Sequence, residues 1–369
     1  MRHTYIDINQ AALCHNLSAI KKHAPTASVM AMVKSDAYGH GIEYCLPALM
    51  GADAFGVASL DEGLAVHHLC QKLSQHKPIV LIEGVFDKTE WQNAVHHDFG
   101  CVMHCQAQLN WALDSVPNTD SFSRTIWLKY NTGMNRLGFN KNDVINSAKL
   151  LINKGYRIIL TSHFACADDK ENPANAVQIS HFNDVLHTLQ ATYGDSVQSS
   201  LCNSAGIIHF PHAHHNWVRA GIALYGGTPM ADKSASELGL RPVMSFYSKI
   251  FATHELNVGE RVGYGGLWTA DKPTCIGVVS VGYGDGYPRV VNGAKVLIKK
   301  DNQCHFAPIV GRVAMDMMMI DITDLPIGVG DDVVLWGDDL PADDVAGWAG
   351  TIGYELFCKT TKRPTRRFV

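Results

Sequence analysis

No run of about 18 uncharged apolar residues occurs anywhere in the 369 residues, so the sequence offers no membrane-spanning helix. The opening MRHTYIDINQAALCHNL sets Arg2, Asp7 and Asn9 where a secretion signal needs an unbroken apolar core, which predicts a cytoplasmic protein. CxxC pairs are absent. The ten cysteines are scattered, and in a chain of this length they read as reduced thiols packed as small hydrophobes, not as a disulfide framework. Basic runs are missing apart from the tail at residues 362–367, and the net charge is −4, which argues against nucleic acid as the main partner. That tail reads as solvated charge. Repeats and low-complexity tracts are also lacking. Charged residues make up only 18% against 46% hydrophobic, which allows a sizeable core and leaves little room for disorder. Cys101, His104 and Cys105 are close in sequence but lack two further ligands at suitable spacing, while His212, His214 and His215 read as polar residues of a surface loop. No metal site is expected.

What is present divides at about residue 230. Residues 1–230 alternate short β-branched runs with amphipathic segments, the pattern of βα units around a parallel sheet. Strand candidates end near Lys34, Ala58, Glu83, Met103, Lys129, Ser162, Cys202 and Ala220, the eight needed to close an α/β barrel of the TIM type, (β/α)8. Helix starts are marked by Ser59 with Glu62 and Asp87 with Glu90, each a capping residue followed three positions later by a carboxylate placed to reciprocate. Residues 231–369 read instead as a mainly-β domain, in short alternating runs such as TCIGVVSVGYG, AKVLIKK and DDVVLWG broken by Gly, Asp and Pro turns. The HTYIDI run, ahead of a helix expected at 10–23, is a candidate to pair with that second domain.

In such a barrel the catalytic residues belong at the C-terminal strand ends, and phosphate belongs at the loops after strands 7 and 8. The sequence puts Lys34 after the first strand, Lys129 after the fifth, His163 after the sixth, Asn203-Ser204-Ala205-Gly206 after the seventh, and Arg219 with Gly221-Ile222 at the eighth. Lys34 closes the apolar run Val29 to Val33, where barrel interior meets mouth. Desolvating an ammonium favours the neutral, nucleophilic amine that a carbonyl-binding lysine needs.

The motifs VKSDAYGHG, TGMNRLG, SHFACAD, NSAG, VRAGIALYG, GERVGYG, VGYGDGYPR and GRVAMDMMMID follow in one order along the whole chain, which thereby resembles the alanine racemases, pyridoxal-phosphate enzymes of fold type III. The resemblance implies that Lys34 carries the cofactor and that Tyr38, Asn203, Ser204, Gly221, Ile222 and Tyr354 cradle it, the phosphate group above all. It implies that Arg219 faces the pyridine nitrogen and that His163 links Arg219 to the second catalytic base, Tyr264. Arg136 matches the ligand of the substrate carboxylate, Met315 the residue whose backbone N–H meets it, Tyr283 a gate, and Lys129 a lysine that is carbamylated in many members. Asn131 departs from the family's frequent aspartate and alters the charge near Lys129.

The chemistry implied is racemisation of L- and D-alanine by two bases, one on each face of Cα, supplying D-alanine for peptidoglycan. Arginine donates a hydrogen bond without surrendering its proton, so the ring nitrogen stays unprotonated and the carbanion is less delocalised than beside an acidic residue. A phenol accepts a proton near neutral pH only as phenolate, which nearby cations favour. The resemblance further implies a homodimer with shared active sites, Lys34 from one subunit and Tyr264 from its partner. Alternatives are a serine or broader-specificity racemase, a related decarboxylase, which would need acidic groups at the ring nitrogen, and a non-catalytic pyridoxal-phosphate carrier built on the bare barrel.

Overall fold

The computed structural model describes residues 3–291 and 293–369. A short strand, β1 (Tyr5–Ile8), leads into the helix Gln10–His23, which Asn9 caps by accepting the Ala12 N–H at 2.9 Å. Eight parallel strands follow: β2 (Ser28–Met32), β3 (Ala54–Val57), β4 (Ile79–Leu81), β5 (Gly100–Met103), β6 (Thr125–Lys129), β7 (Arg157–Thr161), β8 (Val197–Ser200) and β9 (Trp217–Ala220). They pair in the order β8-β7-β6-β5-β4-β3-β2-β9. The two ends of that order meet, since the Asn216 N–H donates to the Ser199 carbonyl at 3.2 Å and the Arg219 N–H to the Cys202 carbonyl at 3.0 Å. A closed barrel results. Residues of β3, β4 and β5 are buried without alternation, as parallel strands covered on both faces require.

Helices alternate with these strands on the outside, and their caps differ in one respect from the reciprocal pattern expected. Ser59 and Asp87 do cap Glu62 and Glu90, at 3.4 and 2.8 Å. The glutamates, however, reach past the caps to the preceding residues: Glu62 Oε2 accepts the Ala58 N–H and Glu90 Oε2 the Phe86 N–H, both at 2.8 Å. Glu62 Oε1 also accepts the N–H of Ser35, beside Lys34, at 2.7 Å. A carboxylate has lone pairs for two such donors, and the adjacent strand end supplies the second.

The second domain is a closed ring built on β10 (Met244–Leu256), a strand long enough to serve two neighbourhoods. With β11 (Arg261–Val262) and β12 (Trp268–Thr269) forming a separate ribbon, β13 (Thr274–Val279), β14 (Lys295–Lys300), β15 (Gln303–Val310), β16 (Met318–Asp321) and β17 (Asp332–Trp336) run in the order β13-β16-β15-β14-β17-β10. The far half of β10 pairs back onto β13 after a register shift between Ile250 and Ala252, which closes the ring. Strand β1 adds to β10 with Ile8 opposite Met244, and β18 (Thr365–Phe368) runs parallel to β1. The basic tail is therefore structural, not merely solvated: its last three residues enter β18, and Arg367 pairs with Asp7 at 2.7 and 2.9 Å. One hydrophobic cluster runs from Val29 and Tyr225 in the barrel through Phe357 to Phe246 and Trp336 in the second domain. Among the described residues no helix is long and apolar enough to cross a membrane.

Candidate active site

The strand ends of the barrel and the helix Gly353–Cys358 enclose a cavity of about 590 Å³. Lys34, Tyr38, Lys129, Arg136, His163, Asn203, Ser204, Arg219, Gly221, Ile222 and Tyr354 all line it, with Met32, Ile82, Val102 and Trp127 as apolar wall. Its volume lies within the range of small-molecule sites. Charge is lopsided there: Lys34, Lys129, Arg136 and Arg219 face a single carboxylate, Glu83. Such a site suits a ligand bearing a phosphate and a carboxylate. Glu83, the charged end of the IVLIEG run, received no role from its position in the sequence.

Lys34 opens a turn of unusual hand. Ser35, Asp36, Ala37 and Tyr38 all have φ between 53° and 55°, a left-handed turn built without glycine. Each such residue costs about 1–2 kcal/mol, so surrounding contacts must hold it. Glu62 takes the Ser35 N–H, Asp36 Oδ1 takes the Ile42 N–H at 2.8 Å, and Arg366 donates to the Gly39 carbonyl at 2.9 Å. His40 donates from Nδ1 to the Tyr38 carbonyl at 3.0 Å. Its ring is fully buried between Tyr225 and Phe357, and burial pushes its pKa down to about 3, which keeps it neutral.

Held this way, Tyr38 stacks on Tyr225 at 4.9 Å and approaches Tyr354 at 6.1 Å. Burial raises both the Tyr38 and Tyr354 phenols above their ordinary value, so both remain donors. The Gly221 N–H donates to Ser204 Oγ at 2.8 Å. A Cβ on Gly221 would come within 2.5 Å of Tyr38 Oη, so only glycine lets that hydroxyl reach the backbone. The hydroxyl-bearing Tyr38, Ser204 and Tyr354 line the cavity together with Gly221 and Ile222 at the start of the turn Ile222–Tyr225, a donor set suited to an oxyanion. Asn203 lines the cavity too, but its side-chain oxygen is committed to the Gly206 N–H at 2.9 Å as a helix cap.

Across the cavity, Arg219 is fixed by oxygens of the strand ends. Its Nη1 donates to Ser200 Oγ at 2.6 Å and Thr161 Oγ1 at 3.1 Å, and its Nη2 to the Ser162 carbonyl at 2.5 Å. Burial lowers its pKa to about 10, leaving it charged at neutral pH, and among the described residues no carboxylate pairs with it. Nη2 also lies 3.3 Å from His163 Nδ1. Because guanidinium only donates, Nδ1 accepts and Nε2 carries the His163 proton. Burial first, then Arg219, Lys129 and Arg136, hold His163 well below its usual pKa and hence neutral. Lys129 is pushed down to about 8 by burial and by Arg219, Arg136 and Lys34, against a smaller opposing effect of Glu83.

The loop between Lys129 and Arg136 is organised by Asn131. Its side-chain oxygen accepts the N–H groups of Gly133 and Asn135 at 3.2 and 3.0 Å, and its amide donates to Asn135 Oδ1 at 3.0 Å.

Tyr264, Tyr283 and Met315 are not brought to this cavity within one chain. They lie on the second domain, 72%, 39% and 53% exposed, Tyr264 in the turn between β11 and β12. The other two share one ledge, where the Tyr283 N–H donates to the Ala314 carbonyl and the Gly284 N–H to the Met315 carbonyl, at 3.0 and 2.9 Å. His40, Glu62, Arg366, Thr161 and Ser200 shape the site without having been singled out as site residues; the GHG of the first motif was the available signal for His40.

Comparison with known proteins gives a consistent set of relatives. Residues 8–229 match the family model described as alanine racemase, N-terminal domain, and residues 243–368 that of the C-terminal domain. An alanine racemase of Psychrobacter sp. is 48% identical, the match covering 99% of both chains. The solved structure of alanine racemase from Acinetobacter baumannii superposes with a TM-score of 0.92 at 41% identity over all of both chains. That of alanine racemase from Bartonella henselae with covalently bound pyridoxal phosphate does so with 0.87 at 25% identity, again over both whole chains.

Proposed function

The chain belongs to the alanine racemase family, and from that premise we propose that it interconverts L- and D-alanine with pyridoxal phosphate carried on Lys34, in active sites shared by two subunits. It is a racemase, hence an isomerase. The observation that carries the reading is a lysine and an arginine in one cavity, beside a glycine-dependent oxyanion cradle and, among the described residues, with no carboxylate against the arginine. Residues 1–230 act as the cofactor-binding barrel and 231–369 as the domain that supplies the second base and the dimer contacts.

The residues present suit the cofactor: Tyr38, Ser204, Tyr354 and the Gly221 and Ile222 N–H groups for its phosphate, Arg219 for its ring nitrogen, and Lys34 for its carbonyl carbon. When bound, pyridoxal phosphate supplies the electron sink that acidifies Cα–H of an attached amino acid. Lys34 then moves a proton on one face of Cα and the partner's Tyr264 on the other. Arg219 keeps its proton and so withholds one from the ring, which disfavours transamination. Neutral His163 orients Arg219 at one nitrogen and presents Nε2–H at the other. Arg136 binds the substrate carboxylate together with the backbone N–H of the partner's Met315, while Tyr354 and the partner's Tyr283 narrow the mouth to a side chain the size of a methyl group. Lys129, with an amine neutral in part near pH 8, is carbamylated, which replaces one of the four cations by an anion. The product serves peptidoglycan synthesis.

A coupled assay of L- and D-amino acids, with and without added pyridoxal phosphate, tests the activity; equal interconversion of the alanine pair is expected. Borohydride trapping followed by peptide mapping should label Lys34. A label on another lysine, or loss of CO₂ in place of racemisation, would contradict the proposal.

A further inference from the structure

Two arginines of the C-terminal tail grip two different parts of the catalytic apparatus. Arg363 donates from Nη2 to Asp316 Oδ1 at 2.7 Å, and its Nε lies 3.4 Å from the buried carboxylate of Asp285. It also packs against the Tyr283 turn, where a Cβ on Gly284 would lie 2.0 Å from Nη1. Thr361 donates to the Gly284 carbonyl at 2.9 Å, and the Asp285 side chain accepts the Gly282 N–H at 2.9 Å. Arg363 therefore backs the ledge that carries both Tyr283 and Met315. Three residues on, half-buried Arg366 donates from Nη2 to the Gly39 carbonyl and Thr360 Oγ1, and from Nη1 to the Thr361 carbonyl, all at 2.9 Å. Gly39 directly follows the left-handed turn that begins at Lys34. Between the two arginines runs extended chain of roughly 10 Å, anchored by the pairing of β18 with β1.

We infer that this tail is a positioning element for two cavities: Arg366 fixes the lysine-bearing turn of its own chain, and Arg363 fixes the loops that its chain presents to the partner's cavity. The second half rests on the shared-site reading above. Neither arginine touches substrate. Each holds backbone whose displacement by a fraction of an ångström misplaces a reacting or recognising group.

Mixed dimers separate the two roles. Lys34→Ala chains combined with Tyr264→Ala chains leave one working cavity per mixed dimer, made from the lysine turn of the Tyr264→Ala chain and the second-domain loops of the Lys34→Ala chain. Arg363→Gln placed on the Lys34→Ala chain should raise KM for alanine about tenfold with the cofactor band unchanged. On the Tyr264→Ala chain it should leave the mixture as it was, and Arg363→Lys should recover part of the loss. Arg366→Gln should show the reverse chain preference, weakening pyridoxal-phosphate binding about tenfold in direct titration when carried by the Tyr264→Ala chain. Equal effects from either chain, or no effect from either, would overturn the inference. Mixed dimers that form by mass spectrometry yet show no turnover without any arginine substitution overturn the shared-site reading and the Arg363 half with it. Titration of the Arg366→Gln homodimer with pyridoxal phosphate then still decides the Arg366 half, unchanged affinity refuting it.

Discussion

Replacing Arg219 with glutamate exchanges a donor that never yields its proton for an acid that can protonate the cofactor ring. The expected outcome is slower racemisation with a measurable share of turnovers lost to transamination; unchanged kinetics without transamination would remove Arg219 from the ring nitrogen. Lys129 gives a pH prediction with a definite sign. Its pKa of about 8 lies below the ordinary 10.5, so the neutral amine that combines with CO₂ grows as pH rises through 8. A carbamate signal from ¹³C-bicarbonate should grow in parallel and be missing in Lys129→Ala. The unfolded chain binds more protons than the folded one between pH 8 and 10.5, so this group makes stability rise with pH across that window. Asn131→Asp should change stability by less than about 0.5 kcal/mol by urea titration, because the Asn135 amide can turn to donate where the Asn131 amide now does. At this scale much was legible in the sequence. Lysine, arginine and tyrosine types at strand ends announce their chemistry, whereas Glu62, His40 and Arg366 act through hydrogen bonds to the backbone around the lysine-bearing turn, which their side-chain types do not announce.

Among the elements, the strands were readable because a parallel strand covered on both faces is a continuous apolar run, as in β3 to β5. The left-handed turn after Lys34 was not: Ser35, Asp36, Ala37 and Tyr38 contain no glycine to mark a positive φ, and the conformation is imposed by Glu62, His40 and Arg366 from elsewhere. Two substitutions probe it by denaturant unfolding. Ala37→Gly should stabilise by up to about 1 kcal/mol, since glycine adopts φ near 55° without strain. Gly39→Ala should destabilise by about 2–4 kcal/mol and weaken cofactor binding, because φ is 77° and the new Cβ would lie 2.1 Å from the Phe357 carbonyl oxygen.

For the whole molecule, one chain carries a cavity rich in cations and, on another face, exposed Tyr264, Tyr283 and Met315. Sequence order assigns these residues to the second domain but cannot say whose cavity they serve, since a strand register fixes neighbours within a chain and not between copies. The proposed two-fold dimer would make both sites equivalent, each with Lys34 from one subunit and Tyr264 from the other. The direct measurement is co-refolding of Lys34→Ala with Tyr264→Ala chains, each nearly inactive alone. Random pairing makes half the dimers mixed, each with one intact site of two, so roughly one quarter of wild-type activity should return. Mixed dimers that are present by mass spectrometry but remain inactive would mean that Lys34 and Tyr264 of the same chain serve one site, contrary to this account.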